Sequence, residues 1–494
     1  MATIRHTIRI ASSRRQLVSI DGFTLEEGTL TFLFGESGIG KSLIAKALYG
    51  ILGEEGLNVR IDGREYPEYL ALPETRARRA SSFFVFQEPS SHLNPLMTLE
   101  AQLAEGSLAG GPPTFEIARR LWEPGEEVEL ASLLPVYPKP HRPSGGEKQR
   151  MLITMALKQL ANLKPGEPNL FVFDEPTGSL DNDYRDRFLS LLFEEHRKRP
   201  FTCLLVTHDY SMIGRILRAH ASGLKLVRMR ELLLVTGGLA VREFHPETYT
   251  GWLAGLRPAP AGEYEKAGPL LTVEGRLTVH GLPLSISRSP EGGEIVPLQV
   301  RPGRMTYLKG PSGEGKTSFA KAIMGLIPSP GLRCTLKGIT LTDATPARVW
   351  RERCWGTLIT MIFQHADEAL NANATVAQTL EALPLRNAAA RIPKLISEFY
   401  GLANPGPFLR SMVGTLSGGQ KQRLNVLRGL LLETDVIILD EPLNALDFES
   451  GTRVIDLLKQ RLRQGKGILV ISHNEEIFDA LVDEADVYYL RKET

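Results

Sequence analysis

Cysteine is scarce in this chain, and neither sign of charge prevails. The three cysteines in 494 residues, Cys203, Cys334 and Cys354, stand too far apart for a zinc or iron–sulfur ligand set or for a disulfide framework. A reducing compartment, the cytoplasm, suits them. Lysine plus arginine number 58 against 57 acids, a formal net charge of +1. That balance argues against nucleic acid as a partner, because such binding needs a concentrated basic stripe. Groups such as Arg76/Arg78/Arg79 and Arg351/Arg353 read instead as solvated helix faces. Long apolar runs are missing too. The longest are strand-sized, as at Cys203 to Val206, so neither a transmembrane helix nor a signal peptide is expected. With 42% apolar and 23% charged residues the composition is that of a globular protein, and the length calls for more than one domain.

What is present is an ordered set of phosphate-handling motifs, twice. The first half runs Gly35-Glu36-Ser37-Gly38-Ile39-Gly40-Lys41-Ser42, Gln87, Ser144-Gly145-Gly146-Glu147, Phe173-Asp174-Glu175-Pro176, Ser179-Leu180-Asp181 and His208. The second runs Gly310-Pro311-Ser312-Gly313-Glu314-Gly315-Lys316-Thr317, Gln364, Ser417-Gly418-Gly419-Gln420, Leu439-Asp440-Glu441-Pro442, Ala445-Leu446-Asp447 and His473. Gly35 and Gly310 stand 275 residues apart, Gln87 and Gln364 277, Ser144 and Ser417 273, His208 and His473 265. An internal duplication is the simplest account. Apolar strands precede each phosphate loop, acidic pair and histidine, and a helical pattern follows each. The expected fold is therefore α/β, with two tandem P-loop NTPase domains, each a mostly parallel sheet core carrying a small helical subdomain near residues 88–160 and 365–430. The boundaries read 1–245 and 269–494, with a Pro/Gly-rich linker at 246–268.

A glycine-rich loop between strand and helix aims backbone N–H groups at phosphate oxygens, with the helix N-terminus adding partial positive charge. Lys41 and Lys316 are placed to reach the outer phosphates, and Ser42 and Thr317 to ligate magnesium. Asp174 and Asp440 are suited to hold the same magnesium, and Glu175 and Glu441 to orient the attacking water. A strand merely ending in helix-capping acids would not explain Asp-Glu-Pro at the same place in both copies.

These residues resemble the ATP-binding cassette (ABC) superfamily over nearly the whole chain, twice. The serine-glycine-glycine signature is the most specific element. The resemblance implies an intramolecular cassette dimer in which Lys41, Ser42, Gln87, Glu175 and His208 work with Ser417, Gly418 and Gly419. The second site would join Lys316, Thr317, Gln364, Glu441 and His473 to Ser144, Gly145 and Gly146. It further implies ATP and Mg2+ as cofactors, Gln87 and Gln364 as additional magnesium contacts, and His208 and His473 as contacts to the outer phosphate.

A narrower resemblance is to the ATP-binding subunits of oligopeptide, dipeptide and nickel importers, carried by Phe86-Gln87-Glu88-Pro89-Ser90-Ser91-His92-Leu93-Asn94-Pro95 and by His245-Pro246-Glu247-Thr248-Tyr249-Thr250. It implies an ATPase at the cytoplasmic face of a prokaryotic membrane. Such a subunit energises uptake of a peptide, nickel, metal chelate or similar solute through two transmembrane permease subunits and a solute-binding protein. The alternative class is a soluble double-cassette ATPase powering an enzyme assembly, similar to those of carbon–phosphorus lyase or methyl-coenzyme M reductase activation. Double-cassette translation factors carry a long charged helical linker, which the short connection here does not resemble.

Three departures stand out. Pro143 precedes the first signature, Glu147 stands opposite Gln420, and no aromatic residue sits about two dozen positions before either phosphate loop. Either Arg14, Arg15 or Arg288 stacks on adenine instead, or the base is held weakly.

Overall fold

The computed structural model describes residues 3–13, 16–53, 55–105, 114–122, 127–137, 143–177, 182–235, 238–260, 262–279, 282–311, 314–384, 388–444 and 446–492. Two compact units, Met1–Thr250 and Gly251–Thr494, each close on their own core.

In the first unit, uninterrupted apolar runs become strands buried on both faces. Leu30–Gly35, Phe171–Asp174 and Cys203–Val206 are buried throughout. They lie side by side and parallel, with Val227–Val235 and Phe84–Val85 as further parallel neighbours and Gly238–Glu243 as an antiparallel edge. The second unit repeats the plan, with Ile359–Ile362, Val436–Asp440, Gly467–Ile471, Met305–Lys309 and Val487–Lys492 in one parallel run. Parallel sheets of this kind need both faces covered, which is why their strands read as continuous apolar runs.

Each unit also holds a second, four-stranded antiparallel sheet, which the expectation of a mostly parallel core did not include. In the first unit it is built on Thr3–Ser12, Gln16–Glu26, Leu57–Ile61 and Arg64–Glu65. Its strands alternate. Ile8, Ile10, Val18 and Ile20 face the core beside Ile44 and Leu48, while the intervening positions remain partly or fully exposed.

The helical subdomains are Leu99–Ala104, Thr114–Arg119, Glu127–Leu133 and Gly145–Asn162 in one unit, and Val376–Glu381, Ala388–Tyr400, Gly406–Arg410 and Gly418–Leu431 in the other. Between the repeats lies the helix Pro246–Gly255, after which Leu256 joins the second unit's core with Trp252 and Leu253 packed against it. Among the described residues no helix is long and apolar enough to cross a membrane.

The long helix Gly418–Leu431 meets the second unit's parallel sheet at Gly429, where an added Cβ would lie 2.4 Å from Ile362 Cγ1. Ile362 is fully buried. Gly429→Ala should therefore overpack this junction and destabilise the chain by about 1–3 kcal/mol. Thermal unfolding would register it, and an unchanged midpoint would mean that Ile362 gives way freely.

Candidate active site

Both sites form at the carboxyl ends of the parallel strands, where open α/β sheets leave room for a ligand. The phosphate loop leaves its strand at Gly35 (φ 147°) and enters the helix Lys41–Tyr49 through Gly40 (φ 114°). A Cβ on Gly35 would stand 2.7 Å from the Leu232 carbonyl oxygen, and one on Gly310 2.7 Å from that of Leu490. Only glycine lets the neighbouring strand come so near. Gly315 (φ 96°) is the matching entry to the helix Lys316–Ile323. Ser37 and Gly38 lie in the intervening turn, whereas Ser312 and Gly313 fall outside the described residues.

Lys41 Nζ donates to the carbonyls of Gly35 (2.6 Å) and Glu36 (3.0 Å), and Lys316 Nζ to those of Gly310 (2.5 Å) and Pro311 (2.9 Å). Burial pushes both ammonium groups below their ordinary pKa, with the nearby carboxylates opposing it. Each lysine is thus curled inside its own loop.

The acidic pairs are built alike at the backbone. Glu175 (φ 48°) and Glu441 (φ 49°) both adopt the left-handed region, which is costly for residues with a Cβ and concentrates at functional sites. Their N–H groups donate to Val206 and Ile471 carbonyls, each at 2.9 Å. This ties each glutamate to the strand that precedes the histidine. Ser42 Oγ donates to Asp174 Oδ1 at 2.8 Å, and Thr317 likewise bonds Asp440. Burial raises both aspartates, Asp174 to about 6. Asp440 Oδ2 is buried without a hydrogen-bond partner. A hydroxyl beside a buried carboxylate with an oxygen to spare is a hard-oxygen donor set that fits magnesium.

At the side chains the two sites diverge. His208 Nδ1 lies 2.9 Å from Glu175 Oε2, and Lys41 Nζ 3.7 Å from Oε1. Burial alone would raise this carboxyl, but His208 and then Lys41 outweigh it and hold Glu175 below its ordinary value. Burial opposes the charge on His208 too, yet Glu175 raises it. In the second site His473 Nε2 stands farther off, 3.6 Å from Glu441 Oε1. Glu441 Oε2 accepts instead from Ser472 Oγ (3.0 Å) and His473 N–H (3.2 Å). Burial prevails there and lifts the Glu441 carboxyl to about 7. Ser472 was not among the expected site residues. Its sequence signal is the hydroxyl residue before each histidine, Thr207 and Ser472.

The signature residues sit at helix starts within their own units. Ser144 Oγ accepts from Glu147 N–H at 3.2 Å while Glu147 accepts from Ser144 N–H at 2.5 Å, and Ser417 and Gln420 repeat the exchange at 3.2 and 3.0 Å. The reciprocal cap explains the substitution of Glu147 for Gln420, since either side chain accepts the N–H. It also leaves Gly145–Gly146 and Gly418–Gly419 in the first helical turn, where backbone N–H groups have no intrahelical partner. Gln87 is exposed just past the strand Phe84–Val85, and Gln364 half-buried just past Ile359–Ile362, each beside the strand that carries the acidic pair. The stretch Ser179-Leu180-Asp181 lies outside the described residues. Its counterpart Asp447 caps the helix Phe448–Arg463.

The ABC transporter family matches residues 19–178 and 294–444, covering the phosphate loop and acidic pair of both units. The chain belongs to that family. It is a tandem two-cassette ABC ATPase. Among curated proteins it is 28% identical to the glutathione import ATP-binding protein GsiA of Escherichia coli (strain K12) over 524 residues, covering 95% of this chain and 81% of that protein. Its Escherichia coli O157:H7 counterpart is 27% identical over the same span and with the same coverage. Among solved structures, the archaeal ribosome recycling factor aABCE1, in complex with the ribosomal stalk protein aP1, superposes with a TM-score of 0.63 at 18% identity, covering 96% of this chain and 87% of that one. A structure titled RNase-L Inhibitor gives 0.58 at 18% identity, with 98% and 89% covered. At this identity the likeness is one of fold.

Arg288, one candidate to stack on adenine, is already engaged. Its guanidinium lies 3.5 Å over the Tyr488 ring and donates to the Ala485 and Val487 carbonyls and to Tyr488 Oη. Arg14 and Arg15 lie outside the described residues. With no aromatic platform, ATP and GTP should compete on nearly equal terms for the isolated protein. A preference for ATP above ~50-fold in competition binding, about 2.3 kcal/mol, would reveal another base contact.

Proposed function

We propose that this ATPase is the energy-coupling subunit of an importer for a peptide or similarly small solute. It would work at the cytoplasmic face of the membrane with two transmembrane permease subunits and a solute-binding protein. The observation that carries the reading is the match along 95% of the chain, through both cassettes, to subunits named for glutathione import. Nickel and metal chelates remain within the solute class that the glutamine-loop phrase suggests.

Chemically, each reaction centre would be composite. The Lys41, Ser42, Gln87, Asp174, Glu175 and His208 set would be closed by Ser417, Gly418 and Gly419, and the Lys316, Thr317, Gln364, Asp440, Glu441 and His473 set by Ser144, Gly145 and Gly146. Unpaired N–H groups at the signature helix would then neutralise charge developing on the outer phosphate. Ser42 with Asp174, and Thr317 with Asp440, would hold magnesium, which supplies charge neutralisation at the phosphates. Glu175 and Glu441 would orient water, while His208 and His473 would contact the outer phosphate.

A cavity in the first unit supports the transport reading. Beside the first glutamine loop, Phe83, Phe86, His92, Gln102, Leu152 and Met155 wall a cavity of about 390 Å³ between the core sheet and the helical subdomain. A short cytoplasmic helix of a permease would fit there and feel the glutamine loop move as nucleotide is bound and hydrolysed. Purification of the full chain from the membranes of its own cells tests the proposal. A multi-span protein should accompany it, and recovery with soluble partners alone would replace transport by the soluble remodelling class.

A further inference from the structure

The helix that follows the acidic pair is braced at its start in a different way in each unit. In the first, Asn182 comes directly after Asp181, and its side-chain oxygen accepts from Arg185 while its carbonyl accepts from Arg215 Nη1 at 3.4 Å. Arg185 also pairs with Asp209, the neighbour of His208, and Arg215 pairs with Asp186. Two ion-paired arginines thus fasten this end. Counted from Asp447 and His473, the second unit has Gly451 and Asn474 where the first has Arg185 and Asp209, so that ion pair cannot form.

Phe448 stands in the place of Asn182. Its ring meets that of Trp252 edge to face, with centroids 5.1 Å apart and planes at 78°. Trp252 belongs to the segment that joins the two cassettes, in the helix Pro246–Gly255. Leu256 of the same segment shares one buried cluster with Leu443 and Leu446, which lie between Glu441 and Asp447, and Trp252, Leu253 and Ala259 pack against that cluster. The backbone carries these contacts to the glutamate in short steps. Asp447 accepts from Ser450 N–H at 2.8 Å and so caps the helix that Phe448 begins. Leu446 N–H donates to the Leu443 carbonyl at 3.3 Å, and Asn444 N–H to that of Glu441 at 3.2 Å.

We propose that the connection between the cassettes is a working part of the second one: Trp252 is a positioning residue that, through Phe448, Leu443 and Leu446, holds Glu441 where it orients water. The inference rests on the reading of Glu441 as that residue. A misplacement of about 1 Å can cost about 100-fold in rate even when its origin lies outside the chemistry. The first cassette, fastened by Arg185 and Arg215, does not depend on Trp252, so the two sites respond unequally to a change in the connection.

Trp252→Ala, made in full-length Glu175→Gln and Glu441→Gln backgrounds, tests this by single-turnover hydrolysis over a range of ATP concentrations. Where only the Glu441 site works, the rate should fall about tenfold or more while the half-saturating ATP concentration holds. Where only the Glu175 site works, the rate should stay within about twofold, which also shows the variant to be folded. Trp252→Phe keeps a ring against Phe448 and should restore most of the lost rate. Phe448→Ala should reproduce the loss, and the double variant W252A/F448A should be no slower than either single one, because both remove the same contact. Equal losses in the two backgrounds would make Trp252 a general fold residue, and multiplied losses in the double variant would break the link to Phe448. Either result overturns the inference, as does an unchanged rate at the Glu441 site. An inactive Glu175→Gln parent would remove the reading of Glu441 together with the inference.

Discussion

Glu175→Gln and Glu441→Gln should each keep nucleotide binding while slowing hydrolysis at their own site by about 100-fold or more. Glutamine preserves size and the left-handed backbone, but it cannot accept a proton from the attacking water, and positioned general bases are typically worth ~100-fold to 10,000-fold. At Glu175 the change also removes the charge that His208 faces at 2.9 Å. At Glu441 the amide can still accept from Ser472 and His473 N–H, so the loss there isolates the base itself. Single-turnover hydrolysis by the two single variants and the double variant separates the sites. Full activity in either single variant would show that its site contributes no turnover, and activity in the double variant would remove the glutamates from the chemistry altogether.

Leu96→Asp should abolish membrane recovery and solute uptake while leaving basal ATPase activity within about twofold. Leu96 is 84% exposed, whereas Leu93, Leu99 and Leu103 around it are buried, so its side chain is available to a partner and holds no core. A charge there costs little in the free protein but would be desolvated beneath a docked partner. Leu99→Asp is the contrasting variant, expected to unfold the helical subdomain. In the second unit Val376 and Leu380 are buried and Ala372 and Asn373 exposed, so substitutions meant to test docking belong at the latter pair. Uptake undiminished by Leu96→Asp would mean that the permease docks elsewhere.

Much of the site was legible because its chemistry is local in sequence. Strand, glycine loop and helix follow one another without a gap at Leu30 to Tyr49, and the acidic pair ends an apolar run, so residue types alone announced both phosphate sites. The same holds for the repeat and for the parallel strands, whose apolar runs admit no exposed face. The antiparallel sheets were less visible, since an alternation such as that of Ile8 and Ile10 acquires meaning only once a partner strand and a core are present.

By itself, then, the sequence determined the α/β class, the duplication, and the lysine, hydroxyl, carboxylate and histidine sets of each cassette, because these lie in short contiguous segments whose conformation follows from local composition. Tertiary structure alone decided what those sets do to one another. His208 grips Glu175 at 2.9 Å while His473 stands 3.6 Å from Glu441, and the Glu175 carboxyl is held down while burial lifts that of Glu441. Such differences come from separations of a few tenths of an ångström to a few ångströms between residues far apart in the chain. The Coulomb and desolvation energies that set charge vary steeply over that range, and no motif encodes it.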